Sequence, residues 1–195
     1  AEDGSPMILE NPTDLLVPVK EPATLNCHAT GHPTPSVTWY KDGQPMGPSS
    51  TGHYLLLENG DLFYLRVHNN QDDSDAGVYW CVATNQNGKV RSTNATLEVA
   101  VLEDEFYSMP DDTQVAEGGT ALLACVPPHG NPYPVVTWRR DVEDVDPATD
   151  YRYRIVDGAN LVITAVRRSD AGTYTCRARN IYGERVSRSA KLTIL

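Results

Sequence analysis

Basic residues are scarce in this 195-residue chain: 16 Lys and Arg stand against 26 Asp and Glu, for a net charge of −10. A surface so short of cations argues against nucleic acid as a partner, because affinity for it rests on neutralising phosphates with Lys and Arg. The deficit is uneven. Residues 1–100 hold five Lys and Arg against twelve Asp and Glu, or −7, and residues 101–195 hold eleven against fourteen, or −3. Long apolar runs are missing too, and no stretch approaches the roughly 20 residues that a membrane-spanning helix needs. The opening Ala1 to Pro6 is polar and acidic and does not read as a secretory leader. No sustained helical period appears. Nor does any set of nucleophile, base or metal ligands: His28 and His32 are four apart, a zinc-like spacing on a helix, but here the spacing spans a strand and its loop. The expectation is a protein that is not an enzyme and takes no cofactor.

What is present repeats. "DAGVYWC" at Asp75–Cys81 returns as "DAGTYTC" at Asp170–Cys176, 95 positions later. A 195-residue chain copied at that offset reads as two domains, 1–100 and 101–195, each large enough to close a core of its own. Four cysteines allow three pairings, but one pair lies inside each repeat, which selects Cys27 with Cys81 and Cys125 with Cys176. Closing loops of this length stabilises each domain by about 4 kcal/mol in the chain-entropy account. Disulfides place the chain outside the reducing cytosol, and the sequon Asn94-Ala95-Thr96 makes Asn94 a candidate glycosylation site.

Segments of four to eight residues with alternating apolar character, divided by Gly, Pro, Asn and Asp, give an all-β class. Trp39 follows Cys27 by twelve residues and Trp138 follows Cys125 by thirteen. A Cys, a Trp on the third strand and a second Cys about fifty residues on form the core pattern of an immunoglobulin sandwich. Tyr79 and Tyr174, two residues before the second cysteines, fit a tyrosine corner. Gly77 and Gly172 fit places where the backbone runs too close, or too left-handed, for a side chain. "NQNG" and "NIYG" read as tight hairpins after those cysteines. The whole chain thus looks like two tandem I-set immunoglobulin domains, and the unpadded "TLEVAVLEDEF" between them reads as a short, stiff junction.

One stretch has no twin. Val166 precedes Asp170 by four residues, whereas Val67 precedes Asp75 by eight, so "HNNQDDS" carries an insertion in the first domain. It follows the strand "DLFYLRV" (residues 61–67, strand E), where analogy with inward Leu161 and Ile163 points Leu62 and Tyr64 inward and leaves Phe63 and Leu65 outside. "HYLLLENG" (residues 53–60, strand D) adds Leu55 or Leu56 to that exterior, depending on phase. "ATLNCHA" (residues 23–29, strand B) adds Asn26 and His28. A contiguous apolar group rimmed by polar side chains is the mark of a partner surface.

"ENPTDLLVPVKEPATLNC", "PTPSVTWYKDGQP", "NATLEVAVLEDEF", "CVPPHGNPYPVVTW" and "RIVDGANLVI" together resemble the first two immunoglobulin domains of the Roundabout (Robo) receptors. The "VAVLxDEF" junction and the "PPxGxPxPxxxW" run are the most specific of these. The resemblance implies a single-pass neuronal receptor that steers axons. Such a receptor lies outside the cell, with its membrane span downstream of these domains, and its first domain binds a leucine-rich repeat domain of the secreted protein Slit, with heparan sulfate as co-ligand. Carried over by position, the ligand-facing residues are Glu10, Asn26, His28, Leu55, Phe63 and Leu65, which selects Leu55 over Leu56. The sequence also departs from the family, which usually has a basic residue at His28 and an adjacent basic pair where Gln71 and Asp72 stand. Glu103 and His129 likewise occupy positions where the family favours Arg. Charge at that edge is inverted, and like charges facing each other across an interface cost several kcal/mol.

For a sulfated glycan the candidates are Arg139, Arg177 and Arg179, expected to share one face of the second domain, with Lys41 and Arg66 of the first. The competing function class is a homophilic or heterophilic adhesion molecule of the contactin or Dscam kind, built from the same modules.

Overall fold

The computed structural model describes residues 3–195. It divides into two compact units, one ending at Ala100 and the other beginning at Val101.

The first unit is a β-sandwich. One sheet is ordered Ala95–Leu102, Gly77–Asn85, Ser36–Lys41, Gln44–Pro45, with Leu15–Pro18 running parallel to the first of these strands and Gly88–Arg91 paired to Gly77–Asn85. The opposing layer orders Ala23–Leu25, Leu62–Tyr64 and Tyr54–Leu56, and Met7–Glu10 pairs with His28–Thr30. Strand B is thus interrupted at Asn26 and Cys27, where the Cys27 amide donates to Asp61 Oδ1 at 3.1 Å instead of to a neighbouring strand. Between the sheets lie the Cys27–Cys81 disulfide, Leu25, Trp39, Leu62, Tyr64, Val67, Tyr79 and Leu97, all at most 1% exposed. Trp39 Nε1 donates to the Gly60 carbonyl at 2.7 Å, so its one polar group is satisfied inside the core.

The second unit repeats this plan. Thr113–Val115, Ala190–Ile194, Gly172–Arg179, Val135–Arg140 and Glu143–Val145 form one sheet, and Ala121–Leu123, Asn160–Ile163 and Tyr153–Val156 form the other. Its core is built on the Cys125–Cys176 disulfide, Leu123, Trp138, Leu161, Ile163, Tyr174 and Leu192. Both tyrosine corners are made, with the Tyr79 hydroxyl donating to the Asp75 carbonyl and that of Tyr174 to the Asp170 carbonyl, each at 2.5 Å. At Gly77 the close approach is to Asp42, since a Cβ there would lie 2.7 Å from a carboxylate oxygen whose partner takes the Val78 amide at 2.8 Å.

Candidate ligand-binding face of the first domain

Alternation along three short strands composes the face. Register pairs Thr24 with Phe63 and Phe63 with Leu55, so these three side chains form one row across the outside of the sheet. Leu62 and Tyr64, their chain neighbours, are buried. Phe63 is half-buried, Leu55 is 47% exposed and Leu65 45%. The equivalent row of the second domain reads Leu122, Val162, Arg154, so it ends in a charge where the first domain has leucine. Leu56 and Leu57 are exposed as well, although Leu56 pairs with buried Leu62. A three-residue strand at a sheet edge has a neighbour on one side only, and strand parity therefore does not enclose Leu56. Leu9, 65% exposed at the register shift of the strand beside His28–Thr30, is a further apolar side chain at the surface and lies outside the residues that the sequence motifs point to. A signal for it existed in "MILE", whose apolar residues are consecutive rather than alternating.

His28 sits at the polar rim between two carboxylates. Its Nδ1 lies 2.7 Å from Glu10 Oε2, directly across the strand pair, and its Nε2 lies 3.1 Å from Asp61 Oδ1 without hydrogen-bond alignment. The second domain uses neutral Asn160 where the first uses Asp61, each accepting the amide of the first cysteine. Asn26 is half-buried beside this group.

The insertion folds into a small hairpin. Asn69 bridges to Ser74, the Asn70 amide donates to the Asp73 carbonyl at 3.0 Å, and Gln71 and Asp72 are exposed at the tip. Its root is tied to strand D through histidine: the His68 and His53 rings stack with centroids 4.1 Å apart and planes 8° apart. His53 Nε2 meets Asp75 Oδ1 at 2.9 Å, the His68 amide donates to Asp75 Oδ2 at 2.6 Å, and His68 Nδ1 meets Asp73 Oδ2 at 2.7 Å. The hydrogen bond from His68 holds the Asp73 carboxyl below the usual carboxylate range. Because the Leu65 amide donates to the His53 carbonyl, this histidine cluster borders the apolar row.

His53 and His68 lie outside the residues that the sequence motifs point to. The signal was present: "GHY" at His53 stands where "YRY" stands at Arg152, and the His53–Asp75 separation exceeds the Arg152–Asp170 separation by the length of the insertion. In the second domain Arg152 grips Asp170 with two bonds, at 2.8 and 3.1 Å, while the Arg167 amide donates at 2.7 Å and the Tyr153 hydroxyl also donates. Burial pushes the Asp170 carboxyl up, but these donors outweigh it and hold its pKa at about 2.

Arg139, Arg177 and Arg179 do share one face, since Thr137 pairs with Arg177 and Val135 with Arg179. They are not bare. Glu184 takes Arg177 at 2.5 Å and lies 3.7 Å from Arg179, and Asp144 lies 3.4 Å from Arg139. Lys41 is tied to the Ser74 carbonyl at 2.5 Å, while Arg66 is exposed. Asn94 is exposed in the loop between Gly88–Arg91 and Ala95–Leu102, two strands of the sheet opposite the apolar row, its Oδ1 accepting from Arg91 at 2.6 Å.

Comparison with known proteins agrees with the sandwich geometry. The immunoglobulin I-set domain model matches residues 6–99 and 104–194, and the chain belongs to that family. The I-band fragment I67–I69 of titin superposes with a TM-score of 0.80 at 29% identity, covering 97% of this chain and 65% of that one. Within the I-set class the chain is a Roundabout-family sequence. It is 46% identical to Roundabout homolog 1 of Homo sapiens over 199 residues, 43% identical to protein sax-3 of Caenorhabditis elegans and 36% identical to Roundabout homolog 4 of Mus musculus, with 100% of this chain covered in each case. The chain spans 12%, 16% and 20% of those relatives. An immunoglobulin module of this family is not an enzyme.

Proposed function

We propose that this chain is the ligand-binding part of a Roundabout-type axon-guidance receptor. It works outside the cell, in an ectodomain anchored by a single downstream membrane span, and receives a Slit-like leucine-rich repeat domain on the outer B, D and E face of its first domain. The observation that carries this reading is the row Thr24–Phe63–Leu55, with exposed Leu65 two residues past Phe63 along the chain, the row ending in leucine where that of the second domain ends in Arg154. A few side chains near the centre of an interface carry most of its energy when the contacts around them exclude water. Glu10, Asn26 and His28 give the row a polar rim, and Gln71 and Asp72 give it an edge that lacks the basic pair usual in the resembled receptors. Binding is therefore expected to be weakened or lost.

Titrating the immobilised chain with the Slit repeat domain tests the face. Phe63→Ser and Leu65→Ser should each weaken binding at least tenfold while leaving the fold intact, because neither side chain is part of the core. Binding unchanged in both variants would place the ligand elsewhere. Asn94→Gln should have no effect, since Asn94 lies in a loop that joins two strands of the opposite sheet.

A further inference from the structure

We propose that His53, His68 and Asp75 form a binding site for a borderline transition-metal ion of the zinc class at the root of the inserted hairpin. Each offers a ligand atom, and these atoms lie within 4.8 Å of one another. The opposite polar atom of every ligand is already held. Thr51 Oγ1 lies 3.1 Å from His53 Nδ1, Asp73 Oδ2 takes His68 Nδ1 at 2.7 Å, and the His68 amide donates to Asp75 Oδ2 at 2.6 Å. A carboxylate on the far nitrogen of a histidine fixes its tautomer and leaves Nε2 with a lone pair, the outer-shell arrangement that metal-bound histidines show. His53 Nε2, His68 Nε2 and one oxygen of Asp75 remain as donors. Two imidazoles and one carboxylate suit zinc, copper or nickel, and they do not suit calcium or magnesium, which take oxygen.

Charge gives the second argument. Asp170 has the permanent cation Arg152 against it, whereas Asp75, with a side chain 5% exposed, has an imidazole. A divalent ion would supply the countercharge that arginine supplies in the other domain. Lys41, which lines the same depression, is turned to the Ser74 carbonyl. Stacked rings 8° from parallel do not aim two lone pairs at one point, so His68, the more exposed at 30%, must tilt as the ion enters. The ion takes the place of the proton between His53 Nε2 and Asp75, and that proton moves to Nδ1, where Thr51 accepts it. Water completes the coordination on the open side.

The test is a titration of the intact chain with zinc chloride at neutral pH, followed by calorimetry and by the imidazole carbon-bound proton signals in NMR. One equivalent should bind, moving the His53 and His68 signals. His68→Ala should weaken binding at least tenfold, and Asp73→Asn severalfold with the stoichiometry kept. His129→Ala, which removes an exposed histidine of the second domain, should leave zinc binding unchanged, and calcium and magnesium should leave the signals unmoved. Near-UV circular dichroism checks that each variant is folded. The proposal is overturned if excess zinc leaves the His53 and His68 signals in place, or if His68→Ala binds as tightly as the parent chain.

Discussion

Asp75 and Asp170 occupy the same turn, beneath the same tyrosine corner, and differ in the residue that faces them. Arg152 is charged at every accessible pH, so Asp170 is lost as a partner only when its own carboxyl protonates. Its folded pKa of about 2 lies below the ordinary value of 3.8, so the stabilisation is fully present above pH 4 and is lost as pH falls through about 2. The difference contributes about 2 kcal/mol to the second domain at neutral pH. Acid unfolding should therefore show the Trp138 indole NMR signal, whose Nε1–H is bonded inside that domain, surviving at pH 4 and weakening toward pH 2. Arg152→Ala removes the cation from a carboxylate that is 1% exposed, and should cost about 3–5 kcal/mol at pH 7. In that variant, carboxyl protonation should no longer destabilise the domain. A variant whose stability at pH 7 matches the parent would show that Asp170 is held by its neutral donors alone.

At the scale of strands, the face was legible wherever parity governs. Leu62 and Tyr64 are inside and Phe63 outside because they lie on Leu62–Tyr64, which is paired on both sides, and Leu65 carries the same alternation one residue past the strand. The paired cysteines were legible from the repeat. Leu56 and Leu9 were not, because the edges of a sheet relax the alternation that sequence periodicity reports. The His53–His68 stack was not legible either: it joins residues 15 apart through a hairpin whose closure, set by Asn69, Asn70 and Ser74, leaves no periodic trace. The arginine row shows the converse. Its alignment followed from alternation, but its neutralisation by Glu184 depends on the adjoining hairpin strand, where Arg179 pairs with Glu184. If that carboxylate is what masks the row, Glu184→Gln should free Arg177 and Arg179 and raise the salt concentration needed to elute the chain from immobilised heparin. Unchanged elution would mean that the row is not a sulfate-binding surface.

Over the whole molecule the charge is carried mainly by the first domain, −7 of −10, and the domain that bears the apolar row is the one that repels anions. A ligand whose own surface is adapted to basic residues meets this field before it meets any side chain, so the penalty should appear in the rate of encounter rather than in the lifetime of the complex. Asp72 is the position to test, exposed at the hairpin tip and making no side-chain hydrogen bond or ion pair among the described residues. Asp72→Lys changes the local charge by two. It should raise the association rate for the proposed ligand severalfold at low ionic strength, with the gain shrinking as salt shortens the screening length to about 3 Å near 1 M, while dissociation stays as it was. An effect confined to dissociation, or a gain independent of salt, would mean that position 72 touches the ligand directly and that long-range repulsion does not limit the encounter.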